Sequence, residues 1–88
     1  MKSGLEQISE ERVKQIAKHG YTAYHDAGYK NGELLKAALT YLKAAMISAR
    51  EPIEWPFEMQ YFHDDGYVEN LKKAGAFIAA ELDRLNVN

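Results

Sequence analysis

Two long runs of apolar residues at helical spacing constrain the fold of this 88-residue chain more than any other feature. The first run has a 4-3-4-3 spacing and comprises Leu35, Leu39, Leu42, Met46 and Ala49. The second run has a 3-4-3-4-3 spacing and comprises Val68, Leu71, Gly75, Ile78, Leu82 and Leu85. Such spacing places each run on one helical face. It predicts helices over about residues 32–50 and 65–86, which pack against each other. The first face is widened by Leu34, Ala38, Tyr41 and Ala45. Small residues near Gly75 predict a close approach of the alanine-rich first long helix, and they are Ala74, Ala76, Ala79 and Ala80.

A third helix is predicted near the N-terminus, over about residues 9–19. Ser9 is a favourable N-cap for this helix, and Gly20 is a favourable left-handed terminator. Val13 and Ile16 lie on the face that we expect to be buried.

The predicted fold is therefore all-α, with a short N-terminal helix and an antiparallel pair of long helices in a single helical domain over residues 1–88. Pro52 and Pro56 interrupt helix propagation between the two long helices. The connector around these prolines is rich in aromatic residues.

Composition excludes several classes of function. The formal net charge of −2 and the lack of a basic stripe argue against a nucleic-acid partner. With no cysteine, the chain has neither a disulfide framework nor a thiolate metal site. No apolar run approaches the ~20 residues of a membrane span, so we predict a cytoplasmic protein without a membrane partner. Because a chain of this size has a small core, we also predict a homo-oligomer.

A six-residue pattern occurs twice, 38 positions apart. Residues 24–29 read Tyr-His-Asp-Ala-Gly-Tyr, and residues 62–67 read Phe-His-Asp-Asp-Gly-Tyr. One interpretation is a pair of similar loops before helices, in which Asp caps the helix and Gly makes the turn. The other is a single pseudo-twofold site with two His-Asp pairs.

Catalytic and metal-binding motifs are missing from the sequence. No His-x-x-x-His or Glu-x-x-His spacing places two ligands on one helical face, so no metal site and no cofactor are predicted. The serines lack a strand–turn–helix elbow, and no glycine-rich phosphate loop occurs. These observations favour a binding protein over an enzyme and assign no catalytic residue.

Aromatic, histidine and basic residues are concentrated in and beside the two connectors, a combination suited to a small planar or anionic ligand. The predicted ligand-binding residues are Arg12, Tyr21, His25, Asp26, Tyr29, Trp55 and His63. Two alternatives stay open. One is a metal-dependent nucleotide hydrolase with His25, Asp26 and Glu33 around the ion. The other is a protein–protein interaction module that uses the connector over residues 55–62.

Segments spread over nearly the whole chain form an ordered pattern. They are Glu11-Arg12, Gln15-Ile16, Gly20-Tyr21-Thr22, His25-Asp26, Tyr29, Gly32-Glu33-Leu34, Ala37-Ala38, Trp55-Pro56, Lys73-Ala74-Gly75-Ala76, Ile78, Ala80-Glu81 and Asp83-Arg84-Leu85. This pattern resembles a family of short proteins encoded by tailed bacteriophages and prophages, with a departure over residues 57–62. The activity of that family is uncharacterised, so the resemblance implies a phage or prophage origin and action inside a bacterial cell, without site residues.

In size and helical character the chain is also weakly similar to MazG-type nucleotide pyrophosphohydrolases. It departs from their magnesium-binding cluster, because Glu33 lacks paired glutamates and Glu81 and Asp83 have the wrong spacing. The function that we predict is a phage-type accessory protein that binds, and thereby sequesters, a small anionic ligand such as a nucleotide.

Overall fold

The computed structural model of the protein describes residues 1–47 and 55–87. This part of the chain contains four α-helices, one 3-10 turn and no strand, which confirms the all-α prediction. The helices are α1 (Gly4–His19), α2 (Ala23–Asp26), α3 (Glu33–Ile47) and α4 (Tyr67–Val87), and the 3-10 turn covers Met59–Tyr61. None of these helices combines the length and hydropathy that a membrane span requires.

Helix α1 begins earlier than the sequence pattern suggested. Ser3, and not Ser9, is its N-cap, because the Ser3 hydroxyl accepts a hydrogen bond from the Glu6 amide at 3.1 Å. The Glu6 carboxylate accepts one from the Ser3 amide at 3.4 Å, which completes a capping box. At the other end, Gly20 has the predicted left-handed conformation with φ at 68°.

Helices α3 and α4 form the predicted antiparallel pair. Tyr41, in the middle of α3, stacks on Phe77 of α4 with ring centroids 6.0 Å apart. Glu33, at the start of α3, lies within electrostatic range of Arg84, near the end of α4. The predicted starts at residues 32 and 65 lie within two residues of the observed ones. Residues 48–50 of the first predicted long helix, including Ala49, lie outside the described residues.

The two long helices meet through small side chains, as the alanines near Gly75 predict, whereas most large members of the two apolar runs lie outside this contact. The buried cluster between them consists of Leu34, Ala37, Ala38, Tyr41, Ala74, Phe77 and Ala80. Eight members of the predicted runs are instead 39–77% exposed, namely Leu35, Leu39, Met46, Val68, Leu71, Ile78, Leu82 and Leu85. Each helix has a second apolar face made mainly of alanines, and the neighbouring helix covers that face.

Helix α1 packs on α4 through its polar residues. Val13 and Ile16, the expected buried face, are 61% and 40% exposed, whereas Arg12 and Gln15 are buried. Near the start of α1, Ile8 fills the space beside Gly75 of α4. A Cβ added at Gly75 would lie 2.6 Å from the Ile8 Cδ1 atom, so the missing side chain is what allows this contact.

The Arg12 guanidinium joins three parts of the fold. Its Nε donates to Asp83 Oδ2 of α4 at 3.0 Å, and its Nη1 donates to the Tyr21 carbonyl oxygen at 2.7 Å. Nη1 also donates to Gln15 Oε1 at 3.2 Å within α1. Arg12 therefore fixes both α4 and the segment that follows α1 relative to α1.

The aromatic connector covers one end of the buried cluster. Trp55, Phe57 and Phe62 pack against the cluster, and Phe62 stacks on Tyr41 at 4.9 Å between centroids. The Tyr41 hydroxyl accepts a hydrogen bond from the His63 amide at 3.1 Å. Burial raises the pKa of Tyr41 to about 12, so this phenol is neutral at physiological pH.

The capping box yields a test of where α1 begins. Ser3→Ala removes the N-cap hydroxyl, and we expect it to lower the free energy of unfolding by about 1 kcal/mol. Ser9→Ala is the matched control, because Ser9 is exposed inside the helix and alanine has the higher helix propensity. Urea denaturation of both variants measures the difference. A larger loss in the Ser9 variant would place the helix start at the position that the sequence suggested.

Candidate ligand-binding pocket

Local hydrogen bonds around the one-turn helix α2 fix the orientation of His25, Asp26 and Tyr29. Thr22 caps α2, because its hydroxyl accepts a hydrogen bond from the His25 amide at 3.1 Å. The Tyr29 amide donates to the Asp26 carbonyl oxygen at 2.9 Å, which turns the chain directly after the helix. The three side chains therefore emerge from one short, hydrogen-bonded unit.

His25 and Asp26 form a direct pair within this unit. Nδ1 of His25 lies 2.8 Å from Oδ1 of Asp26. The Asp26 residue is 1% exposed, and its second carboxylate oxygen, Oδ2, is shielded from solvent and has no hydrogen-bond partner among the described residues. A buried acceptor that lacks a donor is unfavourable, so a ligand that brings a donor would stabilise Oδ2, provided that the side chains in front of it move aside.

Aromatic rings from three segments form a continuous series, which we call the aromatic ladder. Its members are His19, Tyr21, His25, Tyr29 and Phe57. Successive ring centroids are 5.4, 5.5, 5.9 and 5.3 Å apart. Trp55, with its ring 5.3 Å from that of Phe57, links the ladder to the buried cluster.

The ladder lines a cavity of about 710 Å³, here called the aromatic cavity. Asp26 contributes to its wall, and the remaining lining residues are Leu34, Pro56, Glu58, Tyr61 and Phe77. The volume lies inside the roughly 300–1,000 Å³ range of small-molecule sites. Flat rings together with an unpaired carboxylate oxygen suit a planar ligand that carries hydrogen-bond donors.

A second cavity of about 190 Å³, here called the lysine cavity, adjoins the first. The two share His19, Tyr21, Phe57, Tyr61 and Phe77 in their linings. The cations of the smaller cavity are Lys14 and Lys73. Lys14 lies 3.6 Å from a Glu11 carboxylate oxygen, and Lys73 donates to Asp65 and, at 2.9 Å, to the His63 carbonyl oxygen.

Burial and nearby charges keep the ladder phenols protonated. Desolvation raises the pKa of Tyr21, and Tyr29, Tyr61 and Asp26 raise it further. Desolvation also raises the pKa of Tyr29, with added contributions from Asp26 and Glu33. Both hydroxyl groups therefore remain neutral hydrogen-bond donors over the physiological pH range.

The structure brings six of the seven predicted site residues to these cavities. Tyr21, His25, Asp26 and Tyr29 line the aromatic cavity, and Tyr21, Trp55 and His63 line the lysine cavity. Arg12 lies elsewhere, since its bonds to Asp83, Gln15 and Tyr21 make it a structural residue.

Several lining residues had no part in the sequence-based prediction. Phe57 and Tyr61 belong to the connector whose aromatic content was a signal for them. For His19, the only sequence signal was its position in the last turn of α1. Neither Glu58 nor Phe77 could be assigned from the sequence, because the tertiary contacts of the connector with α4 place them in the lining.

The two copies of the repeated pattern have different structures. His25 and Asp26 belong to helix α2, whereas Asp64 precedes α4 and accepts hydrogen bonds from the Asn70 side chain at 2.8 Å and the Gly66 amide at 3.2 Å. These bonds lower the pKa of Asp64. The second copy therefore fits the interpretation of a loop before a helix in its glycine turn, with Gly66 at a positive φ of 95°. The two hydrogen bonds of Asp64 go to Gly66 and Asn70, and not to a backbone amide of the first turn of α4.

Within residues 1–47 and 55–87, no three His, Asp or Glu side chains converge in a way that could hold a metal ion. Comparison with protein-family models, with curated proteins and with solved structures finds no match to this chain.

The geometry of the His25–Asp26 pair predicts the tautomer of one histidine. When neutral, His25 is expected to carry its proton on Nδ1, because only that tautomer donates to Asp26 Oδ1. Long-range ¹H–¹⁵N NMR correlations assign the protonated nitrogen. His19 and His63 are internal controls that should show the usual Nε2 proton, because their rings make no such bond to a carboxylate of residues 1–47 or 55–87. An Nε2 proton on His25 would mean that the pair does not form in solution.

Proposed function

We propose that the chain is a non-enzymatic binding protein, active as a homo-oligomer, that holds a nucleotide with its base in the aromatic cavity. The observation that carries this proposal is the unpartnered Oδ2 oxygen of the buried Asp26 in an aromatic wall. The base stacks on the ladder rings, and a base amino group donates to Oδ2. Stacking on an aromatic side chain is worth roughly 1–3 kcal/mol per base.

The lysine cavity supplies the counterpart for the phosphate. Lys14 and Lys73 are its cations, and the five lining residues that it shares with the aromatic cavity allow one molecule to extend into both. In each ion pair one partner is exposed and the other is largely buried: Lys14 is 46% exposed and Glu11 9%, while Asp65 is 56% exposed and Lys73 14%. A phosphate would contact Lys14 first, because Lys14 is the more exposed of the two lysines and its distance to the Glu11 carboxylate is 3.6 Å.

The observations give less support to the two alternative functions. A metal-dependent hydrolase needs ligands that converge, and no such group of three occurs in the described part of the chain. An interaction module over residues 55–62 needs free aromatic side chains, whereas Trp55, Phe57 and Phe62 pack against the buried cluster. Origin in a bacteriophage or prophage remains part of the proposal. Sequestration of a bacterial nucleotide requires a pocket and no catalytic group.

Fluorescence of Trp55, the single tryptophan, offers a direct binding measurement because its ring contacts the ladder at Phe57. We expect AMP, GMP and CMP to change this emission at lower concentration than UMP. The uracil ring has no amino group, and its one ring N–H is flanked by carbonyl oxygens that the Asp26 carboxylate repels. Adenosine should bind more weakly than AMP if the lysine cavity receives the phosphate. Inorganic phosphate alone is the control for binding without a base.

Asp26→Asn tests the residue that carries the proposal. Loss of the charged acceptor should raise the dissociation constant for the amino-bearing nucleotides roughly ten- to hundredfold, since a hydrogen bond to a charged group contributes about 1.5–3 kcal/mol. Asp64→Asn, in the second copy of the repeated pattern, is the matched control and should bind as the unmodified protein does. Tyr61→Ala, at a half-exposed ring of the cavity, is a second test that leaves the buried cluster intact. Equal affinities in all three variants, or no response to any nucleotide, would overturn the proposal.

A further inference from the structure

The large aliphatic side chains of α3 and α4 lie on the outside of the chain, and the small ones lie inside. We call the outward set the leucine face, which consists of Leu35, Leu39, Met46, Val68, Leu71, Ile78, Leu82 and Leu85. These residues are 39–77% exposed, while the alanines of the same helices are buried against each other. The largest apolar patch of a monomeric protein is typically about 300–600 Å², and a patch of this size is often functional.

The two halves of the leucine face lie on the same side of the helix pair. At 100° per residue, Leu35, Leu39 and Met46 fall within an arc of about 40° on α3. On α4 the five residues of the face, namely Val68, Leu71, Ile78, Leu82 and Leu85, span about 100°, and Gly75, which Ile8 of α1 contacts, lies towards the Val68 end of this arc. On each helix the arc begins roughly 80–110° beyond the mean direction of the residues that face the other helix, in the same rotational sense. Because the helices are antiparallel, equal rotations in that sense place both arcs on one side.

The area of the leucine face matches that of a protein–protein interface. The exposed apolar area of the eight residues follows from about four side-chain carbons per residue, about 30 Å² per carbon and roughly half exposure. It is on the order of 500 Å². A standard interface buries about 800 Å² per partner, of which roughly 60% is apolar, or about 500 Å². The face thus supplies the apolar area that one side of a stable dimer needs.

The pattern of the face favours a second copy of this chain as its occupant. Both arcs repeat at three and four residues, the spacing with which side chains of paired helices interdigitate. No charged residue falls within either arc on α3 and α4 as the structure describes them, so a twofold contact would bury no unpaired charge. We propose that two copies pack leucine face against leucine face, so that α3 and α4 of each form a four-helix bundle.

The inference rests on the homo-oligomer part of the proposed function and does not depend on the identity of the ligand. None of the eight residues lines the aromatic cavity or the lysine cavity. Dimerisation and nucleotide binding can therefore be measured separately, the first as a mass and the second as a change in Trp55 emission.

Sedimentation equilibrium at about 10–100 µM tests the dimer, a range that covers Kd values near 1 µM and above. We expect a mass near twice the 10.0 kDa of the chain. Ile78→Glu and Leu39→Glu each place a charge within the contact and should shift the mass to that of one chain. Val13→Glu is the matched control, because Val13 is an apolar residue of α1 that is 61% exposed and lies outside the face, and this variant should remain dimeric.

Circular dichroism of the same samples completes the test. The two face variants support the inference if they are folded monomers. They support it equally if they lose helix together with the dimer, because a chain that folds only as a dimer loses both at once. A single-chain mass for the unmodified protein at 100 µM would overturn the inference. Binding of the chain to vesicles of anionic phospholipid would not change this outcome, because the inference is specific to a second copy of the chain. A dimer that persists in both face variants would overturn it as well.

Discussion

The small side chains between the two long helices determine the rest of this structure. Ala37 and Ala38 of α3 meet Ala74 and Ala80 of α4, and residues of this size allow the helix backbones to approach closely. Once these alanine faces are paired, the leucines of both helices must point elsewhere, because a helix cannot present two faces to one neighbour. The exposed leucine face is therefore a consequence of the close helix contact.

The same constraint shapes the aromatic part of the molecule. Tyr41 and Phe77 are the large rings in the alanine-rich contact, and they stack directly on each other. Trp55 and Phe62 extend this stack outward, and Phe57 joins it to the ladder. The aromatic connector thus closes the buried cluster on one side and forms the wall of the cavities on the other.

Two buried charged residues have contrasting roles. Arg12 uses three hydrogen bonds to join α1, α4 and the segment at Tyr21, and among the described residues its Nη2 atom has no partner. Asp26 bonds to the His25 side chain, and its buried Oδ2 has no partner in the described part of the chain. A guanidinium held on several sides stabilises the fold, whereas a carboxylate with an unused acceptor is suited to a ligand.

The sequence by itself determined the helices and some of their ends, because these features depend on local rules. Apolar residues at helical spacing, two prolines and Gly20 were enough to predict the all-α class and the end of α1. The capping box at Ser3 and Glu6 follows a local Ser-x-x-Glu pattern too, and the prediction of Ser9 as N-cap missed it. Proximity along the chain likewise brought Tyr21, His25, Asp26 and Tyr29 together. Only the tertiary structure decided which helical face is buried and which residues complete the cavities. Helical periodicity identifies an apolar face, but it does not identify the element that packs against this face. The alanine faces, the contact of Ile8 with Gly75 and the placement of Phe77 and Glu58 all depend on contacts between residues distant in sequence.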